Sequence, residues 1–345
     1  MSHAEEINKP TVFIGGYYRS GTSLLRALLG SHSKIAFIPF DLPLWTWLLD
    51  DWINKDFSVV ENRIGLAQAI ATHSKYLKSD TRVEERVLER KFIASGEDTY
   101  GGLIGEFLEQ HCMLTGKCIP GHKCPNSERN FDVISSSVRN PKFLQLVRDP
   151  RSVAESFVHK ESFGELELGT FFSEWGANVG FGVECSRLQP DQFMVVKYES
   201  LVAEPDLIVS QICDFIGIDF EVEMMQMQGH SGWSGSNSSF GGKRQETSVT
   251  NREGAWTTRM KDHEIAQFQL KLGSELRLLE YPIRQINLPA RIIARLQGLR
   301  MTLHDCFETS LDIFLRRRGA FRSIPFLVQI GRVTRKLLRV SKKPE

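Results

Sequence analysis

The segment Gly16-Tyr-Tyr-Arg-Ser-Gly21-Thr22-Ser23 holds the residue types needed to grip an anion. Two glycines spaced G-x-x-x-x-G let a backbone wrap phosphate oxygens closely and turn its N–H groups toward them. A helix starting there adds free amides and about half a positive charge at its N-terminus. The Lys-[Ser/Thr] pair that follows the second glycine in nucleoside-triphosphate loops is missing, because Thr22-Ser23 stand in its place. Arg19 supplies a cation from inside the loop instead. The implied chemistry is the holding of a phosphate-like group by Arg19, Ser20, Gly21, Thr22 and Ser23. The bland alternative is a glycine turn between a strand and a helix.

A second anion motif lies about 130 residues on, in Arg148-Asp-Pro-Arg151-Ser-Val-Ala-Glu-Ser156. An arginine at a strand end offers a planar fork of donors suited to phosphate, and a serine hydroxyl on the next helix adds one more. Seven residues separate Arg148 from Ser156. Taken alone, the motif is equally an Arg–Asp surface pair near a helix start.

Together the two motifs resemble the PAPS-dependent sulfotransferase family, whose donor is 3′-phosphoadenosine 5′-phosphosulfate. Arg19-Ser-Gly-Thr-Ser-Leu24 resembles its 5′-phosphosulfate loop, and Arg148 with Ser156 its 3′-phosphate site. Arginine rather than lysine in the first loop brings the chain closer to the protein-tyrosine and bacterial branch. Val195-Val-Lys-Tyr198 and the residues to Pro205 look like the segment beside the adenine and 3′-phosphate, and Trp256 like the C-terminal closing element. The resemblance spans about residues 11–283 and is confined to these islands. It implies a PAPS donor, PAP as product, no metal, and a hydroxyl- or amine-bearing acceptor (carbohydrate, lipid, small molecule or protein side chain).

The resemblance also assigns the reacting groups. Lys123, in Gly121-His-Lys-Cys-Pro125, matches the lysine that meets the sulfuryl group and the leaving oxygen. Asp41, in Ile35-Ala-Phe-Ile-Pro-Phe-Asp41, falls where this branch carries a catalytic Glu. Here the residue is Asp, about one position further from the loop. His122 and His32 are alternative bases. Ser248 and Arg252 are further donor contacts, and the Gly/Ser-rich stretch 229–242 is expected to close over the donor. The cluster His111, Cys112, Cys118, His122 and Cys124 has metal-binding residue types, but its spacing matches no zinc template. Two rivals stay open: a P-loop kinase or NTPase, which would need the missing loop lysine, and a non-catalytic PAPS/PAP-binding module.

The elements that must position these groups follow from pattern. Thr11–Gly15, Lys142–Val147 and Asp191–Tyr198 are apolar runs that predict buried strands, each followed by a helical stretch. Alternating strands and helices predict an α/β fold, a P-loop-like parallel sheet flanked by helices. Residues 42–118 read as mostly helical, and the resemblance implies that they form an acceptor-side insertion, in which the rings of Trp45, Trp47 and Trp52 either line the acceptor or, by preference, fill the core. Pro205 to Gly217 and Asp262 to Leu279 are helix candidates. Residues 1–283 form the donor-binding domain and 284–345 a basic amphipathic extension.

The net charge of +1 over 345 residues gives no sign of nucleic-acid binding. It is unevenly placed, because 284–345 carries 14 Lys and Arg against 4 Asp and Glu, a charge of +10 that leaves −9 on the remainder. Such a stretch lies on an anionic membrane, binds an acidic acceptor, or packs as a solvated helix. Six cysteines without a Cys-x-x-Cys pair predict reduced thiols. With a polar start to the chain and no apolar run of spanning length, they predict a cytoplasmic protein, with peripheral membrane contact through the basic stretch.

Overall fold

The structure, a computed structural model, describes residues 9–38, 40–158, 167–227, 254 and 256–299. Five parallel strands form one sheet in the order β2-β3-β1-β4-β5: β1 (Thr11–Gly16), β2 (Ile35–Phe37), β3 (Ile119–Lys123), β4 (Pro141–Val147) and β5 (Phe193–Lys197). The α/β expectation holds, and three of the five strands are those the apolar runs predict. Strand β3 (Ile119-Pro-Gly-His-Lys123) escapes that reading because proline and glycine ordinarily break strands. It sits inside the sheet, Ala36 opposite Pro120 on one side and Val12 opposite Gly121 on the other. Gly121 is needed there, since a Cβ would meet the Phe37 ring at 2.8 Å.

Side-chain alternation along the strands feeds two cores. Val12, Ile14, Leu144 and Leu146 face one side, against Leu24, Leu25 and Leu28 of α1 (Thr22–Gly30) and Ile212 of a helix at Pro205–Ile216. Phe13, Phe143 and Phe193 face the other and stack in series, with centroids 6.1 and 5.0 Å apart. Each such ring contributes about 1.5–3 kcal/mol by leaving water. Pro205 stands at the first helical turn and Gly217 ends that helix in the left-handed region (φ 86°), the asymmetry the sequence suggests.

The stretch 42–118 is helical, with α2 (Trp47–Trp52), α3 (Val60–Ala71), α4 (Glu85–Ala94) and α5 (Tyr100–Leu114). Trp45 is fully buried, edge-on to Phe13 and Tyr100, and Trp52 stacks on Phe57. Trp47 differs: it is 73% exposed. The predicted helix from Asp262 to Leu279 is two helices, Asp262–Lys271 and Gly273–Leu278, interrupted at Leu272.

By contacts the chain divides into two units. The first comprises residues 1–261 with 271–285, and the second 262–270 with 286–345. In the second, a helix runs over 288–299, and Asn287 donates to Asp262 at 3.3 Å.

In the first unit Arg151 is a structural anchor. It is fully buried, forked onto Asp149 (2.9 and 2.7 Å), bonded to the Pro282 carbonyl (2.8 Å) and stacked 3.7 Å from the Trp256 ring. Lysine cannot reproduce the fork, so Arg151→Lys should cost about 3 kcal/mol, as broken buried pairs do. Urea denaturation followed by Trp fluorescence would read this loss.

Candidate functional site

The site gathers at the carboxyl ends of β1, β3 and β4, where open parallel sheets bind ligands. After β1 the chain turns through Tyr17–Ser20 into α1, with Ser20 N–H donating to the Tyr17 carbonyl at 3.2 Å. Two glycines make this path available. Gly16 has φ 123° and a Cβ there would strike the Leu146 carbonyl at 2.3 Å; Gly21 has φ 95° and a Cβ would enter the Tyr198 ring at 2.4 Å. Arg19 itself has φ 70°, a left-handed conformation rare outside glycine. That conformation is held from outside, because Arg148 Nη1 donates to the Arg19 carbonyl at 3.1 Å.

The two anion motifs therefore meet. Arg19 donates through Nε and Nη2 to Ser156 Oγ at 3.0 and 2.9 Å, joining the first loop to α7 (Pro150–Val158), with α6 (Phe131–Ser137) lying earlier in the chain. The Arg148 guanidinium stacks 4.3 Å from the Tyr198 ring, and that ring in turn backs Gly21. Arg19, Ser20, Gly21, Thr22, Ser23, Arg148, Ser156 and Tyr198 thus form one contiguous neighbourhood. Ser248 and Arg252, and the loop 229–242, lie outside the described residues.

Two polar atoms in that neighbourhood point to an anionic ligand. Ser20 Oγ and Arg148 Nε are buried without a hydrogen-bond partner among the described residues. Such atoms are costly unless a ligand or water satisfies them. With the glycine cradle and the N–H groups that any first helical turn leaves unpaired, they fit a nucleotide phosphate at each end.

Asp41 and Lys123 also come together. Lys123 Nζ donates to Asp41 Oδ2 at 2.7 Å, Arg26 lies 3.5 Å from Oδ1, and Lys75 Nζ bonds the Asp41 carbonyl at 3.0 Å. Burial raises the Asp41 carboxyl, but Lys123 and then Arg26 outweigh it and hold it below the ordinary carboxylate range. Burial pushes the Lys123 ammonium down, and the Asp41 charge opposes that shift. The arrangement keeps Asp41 ionised at neutral pH, able to accept a proton but only weakly basic.

The histidines stand elsewhere. His122 is next to Lys123 on a strand and so points to the opposite face; its Nε2 is 3.1 Å from the Leu42 carbonyl, and burial lowers it to about 4. His32 sits past the far end of α1 with Nε2 3.0 Å from the Asp219 carbonyl, about 13 Å along the helix from the loop. Of the His and Cys residues between 111 and 124, His111 faces Tyr76 at 3.3 Å and Cys124 faces Thr46 at 3.8 Å. Among the described residues no group of three or more His, Cys, Asp or Glu could hold a metal ion.

Sequence reasoning missed the floor of the site. Glu128 is completely buried, accepts the Gly16 N–H at 2.7 Å and is bonded by Asn178 of α8 (Leu168–Leu188). Asn126 N–H donates to the Gly16 carbonyl at 3.1 Å, so both backbone groups of Gly16 are tied to the turn after β3. Asn126-Ser-Glu-Arg-Asn130 has the composition of a solvated turn, and nothing in it signals a buried carboxylate. Arg26 was findable, as a lone charge within the apolar run Leu24–Leu29.

Burial raises Glu128 from 4.5 to about 7, with the Gly16 bond opposing. The folded state therefore keeps a proton that the unfolded chain releases between these pH values, and stability falls as pH rises through that window. Each pH unit is worth about 1.4 kcal/mol. Glu128→Gln should gain stability relative to the parent as pH rises across the window, and denaturant titrations at several pH values would measure it.

A protein-family model described as the sulfotransferase family matches residues 10–222. A putative protein-tyrosine sulfotransferase of Caenorhabditis briggsae is 21% identical over 224 residues, covering 62% of this chain and 68% of that one. Protein-tyrosine sulfotransferase 2 of Gallus gallus is 23% identical over 216 residues, 61% of this chain and 52% of that one. The chain spans about half the length of several of the curated relatives it matches. In fold it is similar to the sulfotransferase domain of the Synechococcus PCC 7002 olefin synthase, with TM-score 0.54 and 17% identity over 80% of this chain and 96% of that one.

These relatives correct the expected cytoplasmic location, because the protein-tyrosine sulfotransferases among them are Golgi membrane enzymes. Cysteine usage reports how far a fold leans on disulfides, and a large core such as this one stands without them in any compartment. Among the described residues no helix is long and apolar enough to cross a membrane. The matched span runs from β1 past the segment after β5 and takes in every described donor-side residue from Gly16 to Tyr198. On that match, which covers more than half of its length, the chain belongs to the sulfotransferase family.

Proposed function

We propose that this protein transfers a sulfuryl group from PAPS to a hydroxyl acceptor and releases PAP. The observation that carries this reading is the meeting of two anion motifs around unsatisfied buried donors, with no lysine in the loop. A triphosphate loop relies on that lysine, whereas here Arg19 and Arg148 supply cations to the two ends of one nucleotide. Membership of the sulfotransferase family supports the same donor.

In this reading the first loop and α1 hold the 5′ side, while Arg148 and Ser156 hold the 3′-phosphate. The donor supplies a sulfuryl group whose bond to the nucleotide oxygen breaks as the acceptor oxygen bonds to sulfur. Lys123 neutralises charge growing on the leaving oxygen, and Arg19 steadies the equatorial oxygens. Asp41 takes the acceptor's proton. Its low basicity suits a late proton transfer, since attack on a loosely bonded sulfuryl group needs little prior deprotonation.

For the acceptor, the exposed Tyr18 of the loop offers aromatic contact near Asp41, and the helical stretch 42–118 adds the exposed Trp47. Partial burial and then its neighbours Cys124 and Asp41 raise the Tyr18 phenol. The relatives named as protein-tyrosine sulfotransferases make peptide tyrosine the first acceptor to try. We read the basic stretch 284–345 as the part that meets an anionic surface.

Calorimetric titration with PAP, ADP and ATP–Mg²⁺ tests the donor. Strong preference for PAP supports the reading, and a screen of acceptors with labelled PAPS then separates an enzyme from a nucleotide sensor. Preference for ATP–Mg²⁺, or no binding, overturns it.

A further inference from the structure

The helix over 288–299 is turned inside out for a helix on a globular surface. Its alanines are inside, with Ala290 and Ala294 buried. Its large apolar residues are outside: Leu288 is 66% exposed, Ile292 48%, Leu296 63% and Leu299 58%. Spacings of four, four and three place these side chains on one stripe of the helix. Arg291 and Arg295, both exposed, precede Ile292 and Leu296 and therefore flank the stripe. From Tyr281 to His304 the sequence has no Asp or Glu, and 300–345 adds 11 Lys and Arg against 4 Asp and Glu.

An exposed apolar stripe needs a cover. Here its rim is cationic only, which complements a surface that is apolar beneath and anionic at its boundary. Its twelve described residues make about 18 Å of helix, enough to lie along the headgroup layer. We propose that this helix lies flat on an anionic phospholipid bilayer, its Leu288/Ile292/Leu296/Leu299 stripe among the acyl chains and Arg291 and Arg295 at the phosphates. The proposal deepens the reading of the basic stretch as an anionic-surface contact, and it is independent of the donor assignment.

The full chain should co-sediment with phosphatidylcholine vesicles containing phosphatidylserine and only weakly with phosphatidylcholine alone, and salt should weaken the binding. Ile292→Ser with Leu296→Ser should lower the affinity about 30-fold by removing apolar insertion without changing charge. Arg291→Gln with Arg295→Gln should lower it similarly, at about tenfold or less per charge, and blunt the salt dependence. PAP titration of the same variants checks that the donor site is intact, so a failed membrane test and a failed donor reading remain distinguishable. A fluorophore on Leu296→Cys should shift to the blue only when vesicles are added.

Binding unaffected by the serine pair would overturn the proposal, as would no binding to either vesicle. A probe already shielded in a monomeric protein would mean that residues 300–345 cover the stripe. A dimer that the serine pair converts to monomer would assign the stripe to a second copy.

Discussion

Arg148→Ala should weaken PAP binding by two to three orders of magnitude and AMP binding far less, because AMP lacks only the 3′-phosphate. Truncating one partner of a buried charged pair costs about 2–5 kcal/mol, and the middle of that range, about 3–4 kcal/mol, gives this factor. Arg148 has a second task, holding the Arg19 carbonyl at 3.1 Å, so some loss of AMP affinity is expected from a loosened loop. Arg148→Lys separates the two. A lysine keeps the charge near the phosphate but cannot also hold the carbonyl and stack on Tyr198, so it should recover part of the PAP preference. Calorimetry with both nucleotides measures this, and equal weakening toward both would move the 3′-phosphate away from Arg148.

The second large effect concerns the Asp41–Lys123 pair. Asp41→Asn and Lys123→Met should each lower turnover by about 10²- to 10³-fold while leaving PAP affinity within a small factor. Because the two side chains touch, the double variant should be little worse than the poorer single one. Asp41→Glu lengthens the carboxylate by one methylene and should retain far more activity than Asp41→Asn. The pH profile gives an independent check. With Asp41 held below the ordinary carboxylate range, the loss of turnover on acidification should set in at a lower pH than an ordinary carboxylate would give. Asp41 also contributes stability at pH values above its unfolded pKa, which is lost as pH falls through its folded one. An acid limb near neutrality would instead assign the proton transfer to another group.

How much of this was legible depended on whether a residue's role follows from its neighbours in sequence. The loop between β1 and α1 and the Arg148 motif are local, each a strand, a turn and a helix start, and both were readable. Asp41 and Lys123 were readable only through resemblance, since they lie 82 positions apart and on different segments. Strand β3 was hidden by Pro120 and Gly121, which the sheet accepts because β2 and β1 enclose it on both sides. Glu128 was hidden more deeply. Its burial arises from Asn178 and Gly16, 50 and 112 positions away, and no local pattern encodes such a contact. The His and Cys residues between 111 and 124 show the converse, since His111 and Cys124 are close in sequence but directed to different partners.

The turn after β3 has a mechanical meaning. Between Lys123 and Glu128 the chain is fastened to β1 three times, by Cys124 N–H on the Ile14 carbonyl and by Asn126 and Glu128 on the two backbone groups of Gly16. The first glycine loop and Lys123, proposed to hold the donor and its sulfuryl group, are therefore mounted on a single chassis. Asp41 reaches the same place from a different segment, steadied by Lys75 just beyond α3 in the chain, outside those three fastenings. Changes in the 42–118 helices can thus accumulate without disturbing the spacing between the first loop and Lys123, whereas the Lys75 contact ties the position of Asp41 to those same helices.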